Sequence, residues 1–238
     1  MKRRVIVLSD ADAVAQDAAK RLVTTIVETL TSKDHVHVVL TGGTLGTATL
    51  AAVAASPLAD SVDWNSVHVW WGDERFVPAG DPDRNEVQAQ EALLRHVPLP
   101  DANIHRIGDS DAYPSAEAAA AAYHAEISHH GTPQWDILLL GLGPDGHVAS
   151  LFPQHTSFTD GAATVLAVHD SPKPPATRVS LGLGAIRRAK RVWVVAAGEN
   201  KAEAVSDCLA GNESYPGAVV HGTKHTLWII DSAAAAKL

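Results

Sequence analysis

The segment WDILLLGLGPDGHVASLFP, residues 135–153, indicates the fold class of this chain. Its first part, Trp135–Leu142, is a continuous apolar run. Such a run is typical of a strand that is buried on both faces of a parallel sheet. Three glycines follow in the spacing G-x-G-x-x-G, which is also a dinucleotide-binding pattern: Gly141, Gly143 and Gly146. The segment is therefore either a cofactor loop or a turn that presents other side chains.

The residues around these glycines argue against a dinucleotide. The chain reaches Pro153 within about two helical turns of Gly146, whereas a parallel crossover needs roughly a dozen residues and usually a full helix. Asp145 would also lie beside a pyrophosphate and repel it. We therefore interpret the glycines as a sharp bend that directs His147 into a cleft. A neutral imidazole is a natural general base at neutral pH, and Asp145 or another carboxylate could orient it.

Apolar strands alternate with alanine-rich helices on either side of this segment. The predicted strands are Arg4–Ser9, His35–Leu40, Ser66–Trp71, Arg191–Gly198 and His225–Asp231, with Ala163–Asp170 as a further candidate. Asp10 or Asp12 is expected to cap a helix over Ala13–Leu30. The polar stretch GDERFVPAGDPDRNE after Trp71 is expected to be a loop. This alternation predicts one α/β domain over residues 1–238, a Rossmann-like, mostly parallel sheet with helices on both faces.

Four polar segments that contain glycine each follow an apolar strand. They are TGGT after Leu40, GDER after Trp71, GPDGH after Leu142 and GENK after Ala197. The carboxyl ends of parallel strands share one edge of the sheet, where ligands bind in open α/β folds. The four segments are therefore expected to converge in space.

Two of these segments, together with a later arginine, suit a phosphate group. Gly42, Gly43 and Thr44 lie where a helix begins, and free N–H groups and the helix dipole attract anions there. No Gly-Lys-Ser/Thr follows, so the loop is not a Walker motif, and a plain strand–helix turn is the alternative. Arg178 and Lys201 are candidate cationic partners. An exposed surface position is the alternative for Lys201.

Asp73, Arg75 and His147 are the candidates for chemistry. Asp73 and Arg75 are two residues apart, so they can point the same way from an extended segment. The alternative is a solvated loop with an internal ion pair. The chain has 13 histidines, most of which should be structural. His147 differs from the others because a glycine precedes it at the end of a predicted buried strand.

Composition limits the partners of this protein. The 238 residues include 27 acidic and 19 basic side chains, a formal net charge of −8. A protein that binds duplex nucleic acid usually presents a basic face, so nucleic acid is not an expected partner. The single cysteine, Cys208, excludes an intrachain disulfide. No signal peptide or membrane span is recognisable, so we expect a cytoplasmic protein with no membrane partner.

The loops, in this order, resemble the 6-phosphogluconolactonase family. The resemblance lies in TGGT, WGDERFVP followed by DPDRN, LGLGPDGHVASLFP, PKPPATRVSL and AAGENKAEAV, and in the C-terminal PGAVVHGTKHTLWIID. It implies a fold related to glucosamine-6-phosphate deaminases and ribose-5-phosphate isomerases. It also implies hydrolysis of 6-phospho-glucono-1,5-lactone to 6-phosphogluconate, the second step of the oxidative pentose phosphate pathway. The expected partner is this small phosphorylated sugar lactone, and we expect a monomer or a small homo-oligomer.

The resemblance also implies roles for individual residues. The phosphate ligands would be Gly42, Gly43, Thr44, Arg178 and Lys201. His147 would take a proton from the water that attacks the lactone carbonyl, and Asp73 would orient water, the imidazole or a sugar hydroxyl. Arg75 or N–H groups of a glycine loop would donate to the oxyanion. Because a lactone is an activated ester, no covalent nucleophile, metal or cofactor is expected, and the sequence has no metal-ligand spacing.

Some positions depart from the family pattern. The phosphate loop reads Gly-Gly-Thr-Leu-Gly where Gly-Gly-Ser-Thr-Pro is common, so Thr44 is carried over and Leu45 is not. Arg84-Asn85 replaces a common Ser-Asn pair, so only Asn85 is carried over as a binding residue. Ser180 and Gly182 stand where threonines are frequent after Arg178.

Two other functions fit parts of this pattern. A glucosamine-6-phosphate deaminase shares the phosphate loop and the DGH turn. Such enzymes typically have a tyrosine in place of Arg75 and Asn-Glu-Pro in the region Ser150–Pro153, and the change removes the usual carboxylate base. A non-catalytic sugar-phosphate-binding protein would keep Arg178 and Lys201 but would not need His147.

Overall fold

The computed structural model describes residues 2–159 and 163–238. Its strands are β1 (Lys2–Leu8), β2 (Val36–Leu40), β3 (Val67–Trp71), β4 (Asp73–Arg75), β5 (Ile137–Gly141), β6 (Val165–Val168), β7 (Arg178–Leu181), β8 (Arg191–Ala196) and β9 (His225–Asp231). Its α-helices are α1 (Ala11–Leu30), α2 (Gly43–Ala54), α3 (Asn85–Ala92), α4 (Ala116–His129), α5 (Thr156–Thr159), α6 (Leu183–Arg187), α7 (Ala202–Ala210) and α8 (Pro216–Val219).

The central sheet has six strands in the order β1-β9-β8-β5-β2-β3, and every pairing in it is parallel. The predicted mostly parallel sheet is confirmed. The connections from β1 to β2 and on to β3 run one way along the sheet, and those from β3 to β5, β8 and β9 run the other way. Since parallel crossovers are right-handed, the helices of the two sets cover opposite faces. The apolar run from Trp135 forms β5 near the middle of the sheet, where residues 137–140 are buried.

The polar stretch after Trp71 contains a short strand, so the prediction that the whole stretch is a loop was wrong. Asp73–Arg75 forms the short strand β4, which pairs antiparallel with β7, and β7 pairs with β6 in a second, three-stranded sheet. Glu74 is buried in β4 because its carboxylate accepts the backbone N–H groups of Arg75, Asn85 and Glu86 at 2.7–2.8 Å. These partners make burial of an acidic strand possible, and a hydrophobicity pattern does not reveal them.

The cap of α1 gives a pH-dependent prediction. Asp10 is the N-cap, and its Oδ1 accepts the N–H of Ala13 at 2.9 Å. This hydrogen bond, with that of Ser9, lowers the pKa of Asp10 below its ordinary value of 3.8. A lowered pKa adds stability that is present above pH 3.8 and is lost as the pH falls through the folded-state pKa. Asp10→Ala should therefore lower the thermal midpoint at pH 7, more than the matched Asp12→Ala, and the difference should vanish in strong acid. Equal midpoints for the two variants at pH 7 would contradict the assignment.

The described residues, 2–159 and 163–238, contain no helix with both the length and the apolar composition that a bilayer crossing requires.

Candidate active site

The polar segments that follow β2, β3, β5 and β8 meet at one cavity of about 190 Å³ at the carboxyl edge of the central sheet. Its lining consists of Thr41, Gly42, Gly43, Asp73, Arg75, Asn85, Gly141, Leu142, Gly143, His147, Ala149, Lys173, Arg178 and Lys201. The convergence expected for parallel strands is therefore present. Most of the predicted site residues are in this lining. Asp145 is connected to it through His147, and Thr44 lies outside it, exposed in the first turn of α2.

The DGH turn is a bend that places His147 in the cavity wall. Gly146 has a φ of +78°, a conformation that side chains other than glycine rarely adopt. Its N–H donates to the carbonyl of Gly143 at 3.0 Å, and the N–H of Gly143 donates to the carbonyl of His147 at 2.9 Å. Two hydrogen bonds thus close the turn on itself. The glycine spacing serves this bend, as the sequence interpretation expected.

Asp145 is the carboxylate in contact with His147. Its Oδ1 lies 2.5 Å from Nδ1 of the imidazole. Partial burial raises the pKa of Asp145, but hydrogen bonds and charge from His147 and Lys173 outweigh burial, and the net pKa lies below the ordinary value. The carboxylate is therefore ionised at neutral pH, and it accepts a hydrogen bond from the N–H at Nδ1. Nε2 of His147 has no hydrogen-bond partner within the described part of the chain.

Lys173 is a site residue that the sequence analysis missed. Its Nζ lies 3.1 Å from Asp145 Oδ1 and 3.1 Å from His147 Nδ1. The available signal was a lysine within the proline-rich PKPP stretch a few residues before Arg178. Nothing in that stretch shows which side of the cleft the lysine reaches, because the contact depends on how the loop folds over the DGH turn.

Asp73 does not contact His147. Its Oδ2 accepts the hydroxyl of Ser150 at 2.6 Å, and the Arg178 guanidinium lies 3.9 Å away. Asn85 donates from Nδ2 to the backbone carbonyl of Asp73 at 2.8 Å. Of the three roles considered for this aspartate, orientation of the imidazole is therefore not supported by its contacts. Its place in the cavity lining leaves water or a sugar hydroxyl as its possible partners.

Arg178 donates hydrogen bonds to the protein backbone, a role that the sequence did not suggest. Its Nε and Nη2 donate to the carbonyls of Pro175, Lys173 and Pro174 at 3.0–3.2 Å. The side chain is buried, and burial lowers its pKa from the ordinary value. Arg178 therefore holds the loop that carries Lys173, and Nη1 is the end directed toward Asp73.

Lys201 is a half-buried cation at the cavity. No residue in the ranges 2–159 and 163–238 hydrogen-bonds its Nζ or pairs with it in a salt bridge. Burial lowers the pKa of Lys201, the nearby charge of Lys173 lowers it further, and Asp145 opposes the change. An anion placed between Lys173 and Lys201 would reduce this repulsion, because opposite charge favours the charged form of an amine.

The glycine loop before α2 lets the backbone approach closely. Gly42 is the N-cap of α2 and has no side chain to satisfy the first N–H groups, so these groups remain available to an anion. A Cβ at Gly42 would overlap the amide of Asn85. A Cβ at Gly46 would lie 2.6 Å from the carbonyl oxygen of Thr41. Gly46, one of the departures from the family pattern, is thus required by the tight packing of this helix start on Thr41.

Gly143→Ala should lower the kcat of the reaction at this cavity while the protein stays folded. A Cβ at Gly143 would overlap the ring of His147, whereas its φ is not in the left-handed region. The ring must therefore move, and displacement of this candidate base should lower kcat by at least about tenfold. Gly72→Ala is the matched control, because its nearest neighbour would be at an ordinary 3.6 Å. Steady-state kinetics and thermal melts of both variants test this, and an unchanged kcat in Gly143→Ala would contradict it.

A larger groove of about 1000 Å³ lies along α1 and the first residues of β1, β8 and β9. Its lining is rich in cations, among them Arg4, Lys20, Arg191 and Lys224. None of the residues predicted for chemistry lines this groove. The smaller cavity at the carboxyl edge is therefore the better candidate for the active site.

The chain is similar to known proteins over nearly its whole length. Residues 9–228 match the family model described as glucosamine-6-phosphate isomerases/6-phosphogluconolactonase. The chain is 50% identical over 246 aligned positions to the 6-phosphogluconolactonase of Streptomyces coelicolor, covering 99% of this chain and 94% of that protein. It is 39% identical to that of Mycobacterium tuberculosis, covering 100% and 99% of the two chains.

Solved structures share the fold. The 6-phosphogluconolactonase of Thermotoga maritima superposes with a TM-score of 0.86 at 27% identity, covering 97% of this chain and 100% of that one. A monomeric glucosamine-6-phosphate deaminase superposes with a TM-score of 0.82 at 21% identity, covering 100% of both chains. The second likeness concerns the fold alone.

Proposed function

The chain belongs to the glucosamine-6-phosphate isomerase/6-phosphogluconolactonase family, and we propose that it hydrolyses 6-phospho-D-glucono-1,5-lactone to 6-phospho-D-gluconate. This reaction is the second step of the oxidative pentose phosphate pathway. One observation carries the proposal: His147, held by Asp145, lines the same cavity as the glycine-rich start of α2 and Lys201. A base and an anion site thus share one cavity. Residues 1–238 would act as one domain, because both sheets contribute residues to it.

His147 is the general base in this proposal. Asp145 holds Nδ1–H, so the lone pair of the neutral imidazole is on Nε2. Water gives a proton to Nε2 as its oxygen bonds to the lactone carbonyl carbon. The tetrahedral intermediate then collapses, the bond from that carbon to the ring oxygen breaks, and Nε2 returns the proton to the ring oxygen as it becomes a hydroxyl. Asp145 stabilises the imidazolium formed between the two steps.

Arg75 is the candidate donor to the oxyanion, because its side chain lines the cavity that contains His147. A preorganised donor aimed at the developing charge is usually worth more than any other single contribution to such a reaction.

The phosphate is held in the same cavity by the start of α2 and by Lys201. The N–H groups at the start of α2 supply neutral donors and the positive end of the helix dipole, and Lys201 supplies a charge with no other partner in the described structure. Arg178 contributes through Nη1 and through its hold on the loop of Lys173. Asp73 and Asn85 would contact water or the sugar hydroxyls.

The proposal is tested with freshly prepared lactone. The purified protein should accelerate its decay above the spontaneous rate in buffer without added metal. The same preparation should release no ammonia from glucosamine 6-phosphate, which is the reaction of the rival activity. Ammonia release without lactone hydrolysis would replace the proposal by the deaminase, and binding of 6-phosphogluconate with neither reaction would replace it by a non-catalytic binding protein.

A further inference from the structure

A cluster of imidazoles lies away from the active-site cavity, beside β3. His68 is the second residue of β3, so it lies near the end of that strand that is remote from the active-site cavity. His105 lies on the segment that runs beside β3, where its N–H donates to the carbonyl of Val69 at 2.9 Å. His130 caps the carboxyl end of α4. Three separate elements thus bring three side chains together.

The nitrogen atoms of the cluster face one another. One ring nitrogen from each of His68, His105 and His130 lies within 4.8 Å of the corresponding atoms of the other two. The closest pair, His68 Nδ1 and His105 Nε2, is 3.0 Å apart. Two nitrogen atoms that bind one tetrahedral Zn²⁺ at about 2.0–2.1 Å would be separated by roughly 3.4 Å. The closest pair needs only a few tenths of an ångström of widening, and the third ring needs a shift of at most about 1.5 Å.

A carboxylate orients the central ring of the cluster. Oε1 of Glu126 lies 2.8 Å from His105 Nδ1 and 3.3 Å from His130 Nε2. Since an ionised carboxylate only accepts hydrogen bonds, His105 carries its proton on Nδ1, and its Nε2 lone pair points toward His68. A histidine that ligates a metal almost always donates its other N–H to a carboxylate, carbonyl or water in the same way.

The cluster combines a rigid ligand with an open side. The His105 side chain is 2% exposed, and its ring stacks on Trp70 with centroids 3.8 Å apart and an interplanar angle of 13°. His130 is 28% exposed and Glu126 is 42% exposed. An ion could therefore enter past His130 and meet a ring that cannot rotate away, and His130 is the ring free to adjust.

We propose that His68, His105 and His130 bind a divalent transition-metal ion, with Zn²⁺ as the reference ion. Imidazole ligands suit Zn²⁺, Ni²⁺ and Cu²⁺, whereas Mg²⁺ and Ca²⁺ prefer oxygen. Binding needs no net loss of a proton from His68, since the neutral ring can move its proton from Nδ1 to Nε2. Water fills the fourth position, and Glu126 holds His105 from outside the ligand set.

The proposal is independent of the proposed lactone hydrolysis, which uses residues beyond the other end of β3. It also differs from the expectation drawn from the sequence, in which no metal-ligand spacing was found. The three histidines are 37 and 25 residues apart, so no local motif marks them.

Calorimetric titration of the chelator-treated full chain with ZnCl₂ tests the site. We expect one saturable equivalent and a higher thermal midpoint in the presence of the ion, because an ion that binds only the folded state stabilises it. Co²⁺ should give the visible absorption of a site with nitrogen ligands. His68→Ala and His130→Ala should each lose these responses. Glu126→Gln should weaken Zn²⁺ binding by about 10- to 100-fold, as loss of an orienting partner does.

Two controls make the result decisive. His124→Ala removes an exposed histidine from the same helix as Glu126 and should bind like the parent. His147→Ala removes the active-site imidazole and should also bind like the parent. The proposal is overturned if the parent shows no saturable binding, or if both His68→Ala and His130→Ala, shown to be folded by their melts, bind Zn²⁺ with the parental affinity.

Discussion

His147→Ala is expected to lower kcat for 6-phosphogluconolactone by about 10²- to 10⁴-fold, the usual contribution of a positioned general acid–base group. The reason is geometric. Nδ1 is engaged by Asp145, so Nε2 is the nitrogen left to accept the proton of the attacking water, and alanine supplies no replacement. Rates must be measured on freshly made lactone and corrected for spontaneous hydrolysis, which limits how large a loss can be observed.

The affinity for the product distinguishes loss of the general base from loss of the binding site. The groups proposed for the phosphate, among them Lys201 and the start of α2, remain in His147→Ala. Its Kd for 6-phosphogluconate should therefore stay close to the parental value. Asp145→Asn should also lower kcat, by as much as about 10⁴-fold, with little change in KM, because an amide that donates to Nδ1 places the imidazole proton on Nε2, and because the carboxylate that stabilises the imidazolium is lost. Parental rates in His147→Ala would remove this histidine from the mechanism.

Lys201→Ala is expected to raise KM by about 10- to 150-fold with a smaller change in kcat. A hydrogen bond to a charged group contributes about 1.5–3 kcal/mol, and about 1.36 kcal/mol corresponds to a factor of ten. Lys201 is half-buried at the cavity, and no other described residue pairs with its charge. In Lys201→Ala the bound phosphate would therefore lose a cation that no described residue neutralises.

A lactone without a phosphate group shows whether Lys201 acts on the phosphate. Lys201→Ala should hydrolyse glucono-1,5-lactone at the parental kcat/KM, so the preference for the phosphorylated lactone should shrink by the same factor by which its kcat/KM falls. Lys20→Ala, which removes an exposed lysine from α1, is the control for a general change of net charge. An equal loss of kcat/KM on both lactones would show that Lys201 acts on the sugar or on the fold and not on the phosphate.

The parallel sheet could be predicted because its signals are local. Continuous apolar runs such as Ile137–Leu140 mark buried strands, and helix starts are marked by capping residues such as Asp10. Strand β4 could not be predicted in this way. Its burial depends on Glu74 accepting N–H groups from Asn85 and Glu86, which are eleven and twelve residues further along the chain. Polarity alone makes such a segment look like a loop.

The candidate site could be predicted only in part from the sequence, for the same reason. The glycine bend and the strand end mark His147, and the adjacent Asp145 is close in sequence. Lys173 is 26 residues from His147, and its contact arises only where the PKPP loop folds over the turn. Arg178 looked like a ligand and is largely occupied by backbone carbonyls of that loop, which no residue pattern shows.

The sequence by itself determined the α/β class, the positions of the main strands along the chain and the common edge to which the polar segments lead, because periodicity and turn chemistry act over a few residues. Only the tertiary structure decided which side chains meet. It brings Lys173 to His147, directs Asp73 to Ser150, and brings His68, His105 and His130 together from separate parts of the chain. Distances between such residues are set by the packing of whole helices and strands, and short spacings in the sequence do not record that packing.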